Sequence, residues 1–250
     1  MKLRVVARLA VVSMFVAPLA SRADLSAYRQ NFESLPAYEW NALGNDGWQV
    51  FGNVYSADGA TYLYGYGAYP APNHTGGFSS IGFEFAGPQH GTQTMVVYSD
   101  YNNIEAQTSG QRVEANVFQL QTIGASDAGS TWNLRFDARL GDFGGPSTAK
   151  AFIVTLDPAN DYAVTGLATI DMTTIASDWG SYSIALALTA GVGQILEFGF
   201  ASTATYFQPS SVIYDNVSFA PVPEPSSCAL MFVGLGIVGL AGRRRRNVVA

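Results

Sequence analysis

Three groups of residues carry chemical potential: a carboxylate near the end of the chain, a row of tyrosines and two histidines. Asp215 stands within Val212, Ile213, Tyr214, Asp215, Asn216, Val217, Ser218 and Phe219. Strand alternation puts it on the same face as Ile213, Val217 and Phe219, the face expected to be buried. A carboxylate there is costly alone and needs a cation or several hydrogen-bond donors. The other reading is an edge position, or bonds to loop amides. Tyr62, Tyr64 and Tyr66 recur at period two, which places them on one strand face. Such a row suits stacking on the weakly apolar C–H faces of sugar rings, and the glycines beside it open the backbone to close approach. It would equally serve to line a core or to pair strands.

Catalytic chemistry finds little footing. His74 and His90 are the two histidines, both in Gly- and Pro-rich loops with no nucleophile motif nearby. A Gly-x-Ser-x-Gly elbow, a zinc-binding histidine pair and a phosphate loop are all missing from the sequence. A glycosidase would need two carboxylates at a set separation, which the many acids here could supply. The reading adopted is a non-catalytic domain, with an extracellular carbohydrate-active enzyme as an alternative.

The elements that position these residues read as strands. Trp132, Leu134, Phe136 and Ala138 alternate with Asn133, Arg135, Asp137 and Arg139, the pattern of a strand with one buried side. Similar alternation covers Ile81, Phe83 and Phe85, then Tyr182, Ile184, Leu186 and Leu188, then Leu196, Phe198 and Phe200. Further strands are expected at 29–34, 48–54, 61–66, 94–99, 112–121, 150–156, 163–170 and 211–219. Residues 141–146 and 157–161, rich in Gly, Asp and Pro, read as turns. Trp40, Trp48, Trp132 and Trp179 are expected in the core. Ten or more short strands with regular turn signals and no long amphipathic helix predict an all-β, two-sheet antiparallel sandwich.

The two ends have a different character. Lys2, Arg4 and Arg8 precede a short apolar stretch, and small residues follow at Ser21 and Ala23. This is the layout of a secretory signal, residues 1–23, cleaved between Ala23 and Asp24. At the other end, Pro221, Val222, Pro223, Glu224 and Pro225 lead into an apolar, Gly-rich segment at 226–242. The cluster Arg243, Arg244, Arg245 and Arg246 closes it. Seventeen residues lie at the short limit for a spanning helix, and the arginines would hold its far end in the cytoplasm.

Residues 221–246 resemble the PEP-CTERM sorting signal: the Val222-Pro223-Glu224-Pro225 motif, a single apolar transmembrane helix, then an arginine cluster. The resemblance implies an exported protein whose tail is processed by an exosortase. It implies a transient stay in the inner membrane, then a cell-surface or extracellular location beside exopolysaccharide.

Between the ends lies one domain, residues 24–220, with five basic and 18 acidic residues and a formal charge of about −13. That charge repels nucleic-acid phosphates and suits solubility or divalent cations. The one cysteine, Cys228, lies in the tail, so the domain must hold together without disulfides. A core drawn from nearly two hundred residues is large enough to do so.

Asn31-Phe32-Glu33 near the start, Asp178-Trp179-Gly180-Ser181-Tyr182 later and the closing Asp215-Asn216-Val217 resemble jelly-roll domains of the galactose-binding and carbohydrate-binding-module type. The resemblance implies a jelly-roll β-sandwich with a polysaccharide ligand. It also implies a structural calcium tying the first strand to the last, with Glu33 and Asp215 at the matching positions. A structural matrix component that binds no sugar is the other alternative.

Overall fold

The computed structural model describes residues 24–223 apart from 84–86, 88 and 190. Ala23 and the rest of the signal region, Glu224, Pro225, the apolar tail segment and Arg243, Arg244, Arg245 and Arg246 lie outside the described residues. Among those described, no helix is long and apolar enough to cross a membrane.

Two six-stranded antiparallel sheets face each other. The first runs β10 (Gly180–Ala187), β7 (Thr131–Phe143), β12 (Ser210–Pro221), β5 (Thr94–Val97), β4 (Ser79–Gly82), with β1 (Tyr28–Gln30) also on β12. The second runs β3 (Tyr62–Pro70), β2 (Gln49–Tyr55), β6 (Arg112–Thr122), β11 (Ile195–Ala204), β8 (Thr148–Asp157), β9 (Ala163–Asp171). Helices are confined to α1 (Ala42–Asn45), α2 (Ile104–Thr108) and a 3-10 turn at Pro158–Asn160. The all-β sandwich expected from alternation is the observed fold.

Alternation makes the core directly. Phe198 and Phe200 on β11 point inward and meet Phe219 and Tyr214 of β12 in the opposite sheet. Phe198 stacks on Phe219 at 4.0 Å between ring centroids and Phe200 on Tyr214 at 3.7 Å. Phe136 of β7 meets Phe200 edge-on at 5.0 Å. These rings, with Trp48 and Leu134, are fully buried. Rings of this size dominate the energetics of such a core.

Several expectations need correction. Trp48 and Trp132 are core residues, but Trp40 is 60% exposed and lies beside His74, and Trp179 joins a cluster on the outer side of the first sheet. The first strand stops at Gln30 rather than 34, because Phe32 takes a positive φ of 60°, a conformation that leaves the strand region. The expected turn at 141–146 begins later, since β7 continues to Phe143. Around Ile81 the strand ends at Gly82, with Phe83 in a bend.

The most consequential correction is at Asp215. Between Asp215 and Ser218 the register of β12 against β7 shifts, and Asn216 adopts φ 49°. This is a β-bulge, which inserts one residue and reverses the facing of everything after it. Val212 and Tyr214 point into the core before the bulge, Val217 and Phe219 after it. Asp215 therefore does not share a face with Val217 and Phe219. It lies with Ile213 on the outer side of the first sheet, 1% exposed.

Candidate functional site: a groove across the second sheet

The outer face of the second sheet is lined with side chains from all six of its strands, around a groove of about 990 Å³. Its floor can be read in ladder rows. One row holds Phe51, Asn116, Ala201 and Lys150, the next Phe118, Gly199 and Phe152 with Thr169, and the next Leu120, Glu197, Val154 and Leu167. Phe118, Phe152, Val154 and Ala201 form a second apolar cluster, with Phe51, Leu120 and Leu156 packed on it. The core lies beneath; this cluster lies above it and faces the groove.

Glycine shapes the floor at one point. A Cβ on Gly199 would stand 2.1 Å from the Val117 carbonyl oxygen and 3.0 Å from the Phe118 Cβ. The row therefore dips between its two phenylalanines.

Polar groups gather toward one end. Lys150 Nζ donates to Glu114 Oε2 at 2.6 Å, and Glu114 Oε1 accepts from Asn53 Nδ2 at 3.0 Å and Asn116 Nδ2 at 3.2 Å. Burial alone would push the Glu114 carboxyl up, but the Lys150 ammonium and the two amides outweigh it and hold it below its ordinary value. Glu197 contrasts with it. Desolvation between Leu120 and Val154 pushes its carboxyl up to about 7.

The tyrosine row divides. A register shift between Val54 and Tyr55 sets Tyr62 opposite Tyr55 and Tyr64 opposite Val54, so one extra residue, Leu63, breaks the expected common face. Tyr62 lines the groove and meets Tyr55 edge-on at 5.7 Å. Tyr66 packs on the core side with Val54, Ala106 and Val113, its hydroxyl donating to Asp100 Oδ2 at 2.7 Å. Tyr64 lies beside Tyr66, accepting from Asn103 Nδ2 at 3.1 Å. The structure thus does not bring the three together in one binding row.

The pair Glu33 and Asp215 lies elsewhere, where β1 leaves off beside β12 and β5 begins. Glu33 Oε1 accepts from the Thr92 and Gln93 amides, both at 2.7 Å, and Oε2 from Thr92 Oγ1 at 2.8 Å. Asp215 Oδ1 accepts from the Asn216 amide at 2.6 Å, while Asp215 Oδ2 is buried with no hydrogen-bond partner. Burial, and then the neighbouring Asp137 and Glu33 carboxylates, push Asp215 up to about 7 against that one amide. Gln93 Oε1 is likewise buried and unpartnered. Orphaned oxygens beside carboxylates fit a hard cation. Among the described residues no three Asp, Glu, His or Cys side chains converge on a metal position. A cation would therefore draw on Asp215, Glu33, the Gln93 amide oxygen and the backbone.

The sequence reading missed the groove because it sought acids and aromatic rows. One signal was available: β8 carries Ala149, Ala151 and Ile153 on one face and Phe152, Val154 and Leu156 on the other. A strand apolar on both sides marks a second apolar face besides the core, and here that face lines the groove.

Residues 221–246 match the PEP-CTERM protein-sorting motif, so this is an exported protein whose motif directs exosortase sorting to the cell surface. No curated protein matches. Among solved structures, the sandwich is similar to a bacteriophage CBA120 tailspike protein 4 enzymatically active domain: TM-score 0.43, 12% identity, 71% of this chain and 20% of that one. It is also similar to carbohydrate-binding modules of the β-sandwich superfamily: TM-score 0.41, 15% identity, 80% of this chain and 63% of that one. A third is the CBM22-1 xylan-binding domain from Paenibacillus barcinonensis Xyn10C: TM-score 0.38, 11% identity, 60% of this chain and 85% of that one. The chain thus spans a fifth and under two thirds of the lengths of the first two.

Proposed function

We propose that the sandwich is a non-catalytic binding domain that takes polysaccharide into the groove of the second sheet, outside the cell. The observation that carries this is the groove itself. An apolar floor of part-exposed Phe51 and Leu120, laid over buried Phe118 and Phe152, suits the C–H faces of sugar rings, and Asn53, Asn116, Glu114 and Lys150 stand beside it to bond hydroxyls. A few placed polar groups on an apolar lining is the usual make-up of a ligand site. Exposed rings at Tyr62 and Tyr162, 54% and 58% accessible, stand on its rim.

Register sets the two glutamates of the groove too far apart to act as a pair. Glu197 pairs with Leu120, six residues along β6 from Glu114, which is about 20 Å at strand spacing. Glycoside hydrolysis needs its two carboxyls within roughly 5–9.5 Å.

In the same proposal, the tail passes through the inner membrane before an exosortase acts on it, and the protein then stands among exopolysaccharide. A calcium ion at Asp215 and Glu33 is proposed as structural, supported by the orphaned Asp215 Oδ2. Incubation with soluble neutral polysaccharides, followed both for retardation of the protein and for new reducing ends, tests the function. Retardation without new ends is expected. New reducing ends would make the protein an enzyme, and no retardation by any polysaccharide would favour a matrix component that binds no sugar.

A further inference from the structure

Glu197 is an acid placed where acids are costly. Its row neighbours are Leu120, Val154 and Leu167; the next row outward holds Ile195, Leu156 and Val164, and the row behind it Phe118, Gly199 and Phe152. Among the described residues its carboxyl has no hydrogen-bond partner. Among the described residues Lys150 is the only basic side chain lining the groove, and its ammonium is engaged by Glu114 at 2.6 Å. It also stands four residues along β8 from Val154, about 13 Å away at strand spacing. A carboxyl held this way adds nothing to the apolar cluster and costs desolvation, so its use lies with what enters the groove.

Charge narrows what that is. A ligand carboxylate or sulfate would meet Glu197 and a domain of formal charge about −13. A divalent metal ion would want six to eight oxygens, and this row offers one carboxyl. A neutral hydroxyl would gain an ordinary hydrogen bond. An ammonium would gain a charge-assisted one, roughly twice as strong.

We propose that Glu197 makes the groove selective for polysaccharide units bearing a free amino group, its carboxylate pairing with the sugar's ammonium over the apolar floor. This rests on the groove being the polysaccharide site and specifies which polysaccharide. Desolvation keeps the empty carboxyl near neutrality in its titration, up to about 7; an arriving cation favours its ionised form.

The test is titration calorimetry on the full chain in detergent micelles, at pH 6.5, where a large share of the sugar amines carries a proton. The probes are a glucosamine oligosaccharide with every amine free and the same oligosaccharide fully N-acetylated. Wild type is expected to bind the free-amine form about tenfold more tightly, the worth of one charge-assisted bond. Glu197→Gln keeps size and removes charge. It is expected to erase the preference, so that the two forms bind the variant within about twofold of each other. Equal affinities in wild type would overturn the proposal, as would a preference that survives in Glu197→Gln, since that would mark diffuse attraction to the acidic surface. Failure of wild type to bind either oligosaccharide or any neutral polysaccharide would instead remove the groove as a sugar site.

Discussion

Asp137 and Asp215 stand directly opposite each other on β7 and β12, on the outer side of the first sheet. Asp137 has its partners: Ser181 Oγ donates to Oδ1 at 2.6 Å and Asn216 Nδ2 to Oδ2 at 2.8 Å, with His90 Nε2 at 3.2 Å. Asp215 is left with one free oxygen. Like charges directly across a strand pair are destabilising, so a cation bound here stabilises the native state through mass action. Millimolar calcium is expected to stabilise wild type by about 1–3 kcal/mol and to do nothing for Asp215→Ala, read as melting temperature with and without chelator. A melting temperature indifferent to calcium in wild type would remove the ion from the account.

Tyr62 and Tyr64 separate the expected aromatic row from the observed groove. Tyr62→Ala removes an exposed groove ring and is expected to weaken polysaccharide retention by roughly five- to tenfold, the worth of about 1–1.4 kcal/mol. Tyr64→Ala, on the other side of the strand, is expected to leave retention within twofold. Equal losses in affinity electrophoresis would restore the row as a unit.

Glu197 sets a pH dependence of stability. Its folded pKa is raised from an ordinary 4.5 to about 7, so the native state holds the proton more tightly than the unfolded chain. Its contribution is present below pH 4.5 and is lost as pH rises through 7. Facing it are Leu120, Val154 and Leu167; the charged groups along the groove are Glu114, Lys150 and Asp161. Glu197→Gln is therefore expected to gain about 1–3 kcal/mol on wild type between pH 4.5 and 8. Urea unfolding at those two pH values measures it, and a constant difference would contradict the burial of the carboxyl.

Asn216 holds the bulge that brings Val217 and Phe219 back to the core after an outward Asp215. Its φ of 49° and its bonds to Asp137 Oδ2 and the Gln89 carbonyl make it more than a spacer. Asn216→Ala, which loses those bonds and tolerates the left-handed conformation less well, is expected to cost about 2 kcal/mol in denaturant unfolding. Asn216→Gly should cost less, because the backbone remains at ease.

The strands were legible because alternation is a local signal: Trp132 to Ala138 and Leu196 to Phe200 declare their buried faces without tertiary help. The facing of both candidate groups was misread for one physical reason. A single inserted residue, Leu63 beside Tyr62 or Asn216 beside Asp215, reverses the facing of a strand, and period-two counting carries the error across it. Neither insertion has a compositional mark strong enough to be read alone, although Asn is among the residues that tolerate a positive φ. The groove escaped for another reason. Its floor is assembled from rows across β6, β11 and β8, so Phe118, Glu197 and Phe152 become neighbours only once register is fixed.

The most direct test of the account is affinity electrophoresis through gels containing xylan, galactan or β-glucan, comparing wild type with Tyr62→Ala/Tyr162→Ala. Both rings are exposed, so the fold should survive their removal, which the melting temperature verifies. The account predicts that at least one polysaccharide retards wild type and that the double variant runs nearly unretarded. A double variant retarded as strongly as wild type would place binding away from the groove and contradict the central claim.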